Sequence, residues 1–170
     1  MTVLNRNPVN TGPLQPTKFL LTFSRISAVQ YFCQTVNLPG VQLGEVVRTT
    51  PFLDMYSPGT KLTYNNLDIS FILDSEMAGW KNLYNWFTSI ADPDGFEKRD
   101  GSIELQRSKH FSDATLTILS SLNNPMLRIN FTNLFPVSMG DIRFDTTSSA
   151  DTIITVDASF RYQSYVYLTA

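Results

Sequence analysis

The chain has 170 residues, of which 42% are hydrophobic and only 16% charged. That length fits one domain with a core large enough to need no disulfide staple, and a single cysteine, Cys33, excludes an intrachain disulfide and is compatible with a reducing compartment. A net charge of −2 without a basic tract removes the electrostatic footprint of a tight phosphate binder, and the low charge density suits a surface covered by partners or by further copies of the chain.

Residues 1–17 hold Pro8, Gly12, Pro13 and Pro16 and read as an extended N-terminal arm, with one β domain over 18–170. The arm is not apolar enough for a signal peptide. No run approaches the ~18 apolar residues of a membrane-spanning helix. The expected place of synthesis and residence is therefore the cytoplasm.

Phe19–Phe23 reads as a first strand and Val29–Val36 as a second, before a break at Asn37-Leu38-Pro39-Gly40. Val41–Arg48 resumes the strand pattern, with Val41, Leu43 and Val46 or Val47 expected on a buried face. Thr49–Gly59 then reads as a loop. It is long for a hairpin connection and carries Pro51, Phe52, Leu53, Met55 and Tyr56, whereas hairpin loops are ordinarily short and polar. Either it folds over its own core, or it buries these side chains in another subunit.

Lys61–Tyr64 follows, and Leu67, Ile69, Phe71 and Leu73 then alternate with Asp68, Ser70 and Ile72 as in a half-buried strand. Asp74 or Ser75 is placed to cap a helix. Met77, Trp80, Leu83 or Tyr84, Phe87 and Ile90 form its apolar stripe. Trp86 falls about a third of a turn off that stripe, which assigns it to a second surface between subunits. Asp92-Pro93-Asp94-Gly95 stops the helix, and the charged segment Phe96–Ser112 reads as a solvated loop.

Asp113–Ser121 and Met126–Phe131 flank the turn signal Asn123-Asn124-Pro125 and form a hairpin. Asn133–Gly140 reads as irregular and Asp141–Asp145 as a short strand. Thr152–Tyr165 is the longest strand candidate. Ile154, Val156, Ala158, Phe160 and Tyr162 lie on one face, and Thr155, Asp157, Ser159 and Arg161 on the other. The fold class is mainly β: an antiparallel sandwich or barrel with one flanking helix.

No catalytic or metal-binding pattern emerges, and no cofactor is expected. Cys33 and His110 sit in separate segments, and a cysteine in an apolar strand is ordinarily a small hydrophobe. One Cys and one His fall short of a four-ligand zinc set. Asp92 and Asp94 suit turn chemistry, and Asp74 and Glu76 suit a helix start.

The order of pieces resembles the tail tube proteins of contractile-tailed bacteriophages, similar in fold to the tube protein of type VI secretion systems. The matching stretches are Phe19–Phe23, Tyr31–Gly40 with its Leu-Pro-Gly, the loop Arg48–Lys61, Leu67–Asp74, and the helix with Trp80 and Trp86. Phe131–Ile142 and the closing Phe160–Tyr167 complete the set. The resemblance implies hexameric rings stacked into a tube inside a contractile sheath on a baseplate, with phage DNA passing through the lumen at ejection. It implies a virion location after assembly in the host cytoplasm. Pro51, Phe52, Leu53, Met55, Tyr56 and Trp86 are then the expected subunit or ring interface. Thr155, Asp157, Ser159 and Arg161 are the candidate lumen-facing residues. A baseplate tube-initiator ring of the same fold is an alternative, as are a monomeric ligand-binding β-barrel and, lacking a nucleophile–base pair, a small hydrolase.

Overall fold

The computed structural model describes residues 12–91, 110–147, 149 and 151–169. Nine strands and two helices follow in the order β1 (Phe19–Phe23), α1 (Ser27–Phe32), β2 (Cys33–Val36), β3 (Val41–Thr49), β4 (Asp54–Tyr64), β5 (Leu67–Ile72), α2 (Ala78–Ile90), β6 (Ser112–Leu119), β7 (Pro125–Met139), β8 (Thr155–Arg161) and β9 (Ser164–Thr169). All pairings are antiparallel.

β7 organises the body. Its first half pairs with β6 and β9, with β1 beyond β6. Its second half pairs with β8, which continues to β5 and β2. One 15-residue strand thus belongs to two sheets. The change occurs at Asn133, whose φ of 53° is a left-handed conformation that Asn tolerates better than most residues. Its N–H donates to the Asp113 carboxylate at 3.1 Å, which secures the bend.

The two sheets face each other as a sandwich and do not close into a barrel. Leu21, Phe23, Leu116, Ile129 and Phe131 from one sheet meet Leu67, Ile69, Phe71, Val156 and Phe160 from the other. Side chains of this size fill the interior of such a packing. The ligand-binding β-barrel alternative fails here, since these side chains fill the space between the sheets that a ligand would occupy.

β5 and β8 follow the alternation expected of them, with Leu67, Ile69, Phe71, Val156, Ala158 and Phe160 all buried. Other expectations are corrected. Val29–Val36 is not one strand, because the chain forms α1 before β2 begins at Cys33. Val29 is wholly buried and lies beside Gly79 of α2, so packing overrides the β propensity of the segment. Neither Asp74 nor Ser75 caps α2. Asp74 accepts a turn bond from the Met77 N–H at 3.0 Å, and the helix begins after Met77, itself left-handed at φ 54°.

The buried stripe of α2 is Gly79, Leu83 and Trp86, rotated from the expected one. A Cβ on Gly79 would lie 3.2 Å from the Phe71 ring, so the missing side chain is what lets this face of the helix approach β5. Asn133–Gly140 is mostly strand. Asp141–Asp145 forms none. Thr152–Tyr165 divides into β8 and β9 around Tyr162 and Gln163. Residues 1–11 of the arm, the helix stop at 92–95 and residues 96–109 of the charged segment lie outside the described residues.

Candidate functional site

Thr49–Gly59 is not a loop. It is the distal part of a hairpin in which β3 and β4 pair from Val41–Tyr64 at the root to Thr49–Asp54 at the tip. Thr50-Pro51-Phe52-Leu53 makes the turn. The Thr50 N–H donates to the Leu53 carbonyl at 3.2 Å, and the Leu53 N–H donates to Thr50 Oγ1 at 3.2 Å. Midway, the register slips between Leu43 and Glu45. Opposite, Gly59 lies so near Gly44 that a Cβ would stand 2.7 Å from the Gly44 carbonyl oxygen. The bulge therefore requires glycine at this crossing.

Every residue of β3 is exposed, including the Val41, Leu43, Val46 and Val47 expected in the core. At the tip Phe52 is 99% exposed, Leu53 69%, Tyr56 66% and Met55 54%. The segment does not fold over its own core. An isolated two-stranded ribbon is marginal in water without packing on one face, and clustered exposed apolar groups mark an interaction surface. Among the described residues only the root is anchored. The Tyr64 ring lies 5.2 Å from that of Tyr165 and 5.8 Å from that of Tyr162, and both pack on Phe131. The Tyr162 hydroxyl is buried without a partner among the described residues. Burial, reinforced by Tyr165 and Tyr64, pushes it up to about 12.

The second feature is the outer face of β8 and β5. Thr155, Asp157 and Arg161 are exposed and Ser159 is half-buried. Asp157 lies opposite Ser70, and Ser159 opposite Asp68. A hydrogen-bonded chain crosses the sheet. Arg161 Nε donates to Asn66 Oδ1 at 3.0 Å, Asn66 Nδ2 donates to Ser159 Oγ at 3.2 Å, and Ser159 Oγ donates to Asp68 Oδ1. Asn37 then pairs with Asp68 through its amide N–H₂ at 3.1 Å and accepts the Asp68 backbone N–H at 2.8 Å. Beside this chain lies a hollow of about 650 Å³ reaching from Thr35 to Ser138, where Asn37, Asp68, Asp157 and Ser159 share the lining with Val36, Ile69 and Met139. Asn37 and Asn66 were not singled out by sequence; their turn positions conceal that strand register brings them to Asp68 and Ser159.

Trp86 is corrected. It is 1% exposed, its indole N–H donates to the His110 carbonyl at 2.9 Å, and its ring packs on Phe160. It is core, with no face left for another copy. The exposed aromatic on α2 is Tyr84, stacked on Trp80 at 5.1 Å. Cys33 does not suit nucleophilic chemistry. Burial pushes its thiol up to about 11, against a smaller opposite effect of the backbone at Thr35, whereas an activated thiol is lowered. Among the described residues no group of His, Cys, Asp or Glu is placed to hold a metal ion.

An antiparallel sandwich with a shared strand, a projecting apolar hairpin and a hydrogen-bonded polar sheet face has the build of a structural tube protein. The family model described as phage tail tube protein matches residues 10–168, and the chain belongs to that family. Among solved structures, the chain is similar to the tube terminating cap of the anti-feeding prophage, with a TM-score of 0.69, 16% identity and 100% of both chains covered. It is also similar to a chain of the sheath–tube complex of an extracellular contractile injection system in the extended state, with a TM-score of 0.64, 15% identity and 93% of each chain covered. A type six secretion system protein follows at a TM-score of 0.52 and 10% identity, over 89% of this chain and 82% of the other. At these identities the likeness is one of fold. No curated protein sequence matches the chain. No helix among the described residues is long and apolar enough to cross a membrane.

Proposed function

We propose that the chain is the repeated subunit of a contractile-tail tube, forming hexameric rings that stack within a sheath on a baseplate and conduct phage DNA at ejection. The observation that carries this reading is the hairpin. Phe52, Leu53, Met55 and Tyr56 are exposed on an element that packs against the other described residues only at its root, and contact with another copy supplies the burial they lack. Pro51 completes the same tip.

The polar face of β8 suits the lumen. With Asp68 of the neighbouring β5 it presents two carboxylates, Asp157 the other, and among the described residues of β8 the one cation is Arg161, held by Asn66, so it gives DNA few cations to displace counterions and little reason to stick. The outer face of the other sheet aligns Leu20, Thr117, Arg128 and Leu168 in one row, a more apolar and basic surface that suits contact with sheath. The expected product is a virion component assembled in the host cytoplasm.

Deleting Pro51–Tyr56 tests the reading. The variant should keep the wild-type melting transition and form no tubes by negative-stain microscopy. Intact tubes from it would overturn the role of the hairpin. In assembled tubes of the otherwise wild-type chain carrying Thr155→Cys, the new thiol should react with a small maleimide and resist a bulky polymer-linked one. Equal reaction with both would take β8 out of the lumen.

A further inference from the structure

Where β5 ends and the chain turns toward α2 there is an open notch of about 390 Å³. Ile72, Leu73, Met77, Phe144 and Ile153 line it, with Asp74 on one wall. Phe144 and Ile153 are 71% and 61% exposed, so apolar surface faces water here without cover from the described residues. The notch stands at the low end of the usual size of small-ligand pockets, about 300–1,000 Å³, and takes an anchoring side chain or two. The charge around it is one-sided. Among the described residues that line the notch or adjoin a lining residue in the chain, Asp74, Glu76, Asp145 and Asp151 are carboxylates and Arg143 is the one cation. The local balance is −3 against −2 for all 170 residues, so the negative charge of the chain is concentrated at this end. Thr147 donates to the Asp145 carboxylate through its N–H at 2.8 Å and its hydroxyl at 2.6 Å. These bonds hold the Asp145 carboxyl below its usual value and keep it charged. The N-terminus of α2 answers Asp74 and Glu76 with the equivalent of about half a positive charge. Even with Lys81, a turn further into the helix, the balance stays negative.

We propose that this notch binds a basic segment of a different protein, with an apolar side chain of that segment seated in the notch between flanking Lys or Arg residues. The apolar walls take the anchor and the carboxylates take the cations. Neither feature selects the partner alone. An apolar hollow accepts any hydrophobic knob, and an exposed ion pair contributes only about 1.5–5-fold to affinity. Together they favour an apolar residue in a cationic setting and reject the same residue in an acidic one, because unmet carboxylates repel a negative flank. The four carboxylates are close enough to act jointly. Each belongs to a lining residue or to its neighbour in the chain, whose Cα lies about 3.8 Å away, well inside the Debye length of about 8 Å at physiological ionic strength.

Titration of the dilute, unassembled full chain tests this without depending on the tube reading. The probe is a short fluorescein-labelled peptide with a single leucine between arginines, whose anisotropy should rise to saturation with a micromolar Kd. The same peptide with glutamates for the arginines, or with glycine for the leucine, should bind about tenfold more weakly or worse. Phe144→Ser with Ile153→Ser removes apolar wall, alters no charge and should weaken binding about tenfold. Asp74→Asn with Glu76→Gln and Asp151→Asn keeps the shapes and should weaken it about fivefold or more at low salt, a difference that fades as salt is raised. Both variants should melt with the wild type, since Asp74 is half-buried and the other four side chains are exposed. A wild-type chain that does not bind the probe, equal binding of the glycine peptide, or unchanged binding by the serine variant would overturn the proposal. So would a notch closed by further copies. In particles assembled from the chain alone, Thr152→Cys should react with a small maleimide, and protection there would assign the notch to a neighbouring subunit.

Discussion

Trp86→Phe distinguishes a core tryptophan from the interface tryptophan that its place off the apolar stripe leads one to expect. In the folded chain the Trp86 indole N–H donates to the His110 carbonyl at 2.9 Å, the ring meets Phe160 with centroids 6.1 Å apart, and the Arg25 guanidinium lies 5.2 Å from its centre. Phenylalanine keeps an aromatic body but loses the donor, which costs about 1 kcal/mol or more for the partly buried bond. The space left by the larger indole adds about 1 kcal/mol, well short of the full truncation penalty, and a weaker cation–π contact adds a few tenths. The sum is about 2–3 kcal/mol. A chain of 170 residues unfolds with an entropy of roughly 0.36 kcal/mol/K at about 2.1 cal/mol/K per residue, so the melting temperature should fall by about 6–8 °C. Calorimetry on dilute, unassembled protein checks this, with Tyr84→Ala as an exposed control expected to shift far less. A Trp86→Phe chain that melts like the wild type but fails to assemble would refute the placement of this ring in the core.

Two other outcomes follow from local geometry. Gly59→Ala puts a Cβ 2.7 Å from the Gly44 carbonyl oxygen and 2.8 Å from its carbon, both backbone atoms. The hairpin must re-bend there, so sedimentation should show lost assembly while the melting temperature of the body holds, and normal assembly would remove the bulge from the mechanism. Cys33 should alkylate slowly at pH 8 in the folded chain, because burial pushes its thiol from 9.0 up to about 11. The folded state then holds a proton that the unfolded chain releases, so this contribution to stability is complete below about pH 9 and declines as the pH rises toward 11. Cys33→Ala should flatten that limb of the stability profile, and an unaltered limb would assign it to other groups, Tyr162 foremost.

Periodicity finds a strand where the chain itself buries one face. β5 and β8 were legible for that reason: Leu67, Ile69 and Phe71, and Val156, Ala158 and Phe160, point into the sandwich while their neighbours do not. The stripe of α2 was misplaced because its closest approach to β5 is made by Gly79, a residue without a side chain that hydrophobic patterning passes over. The long β7 was divided because its bend at Asn133 looks like a terminator when the second sheet that continues the pairing is unknown. The polar network was hidden for a related reason, since Asn37, Asn66 and Asp68 meet only through cross-strand register.

The hairpin fails differently, and its failure carries information. Val41, Leu43, Val46 and Val47 have the composition of a core strand and are exposed all the same. Apolar patterning reports that a side chain is to be buried, but not by which molecule. Where the described residues offer no second layer, as along the whole of β3, the burying surface must come from elsewhere or the ribbon stays marginal. The contrast with Trp86 makes the rule usable. An aromatic displaced from an expected stripe was core, because the chain had a cavity and a carbonyl waiting for it. An apolar ribbon without a facing layer is surface seeking a partner, and in a chain of the tail tube family a further copy is the partner always at hand.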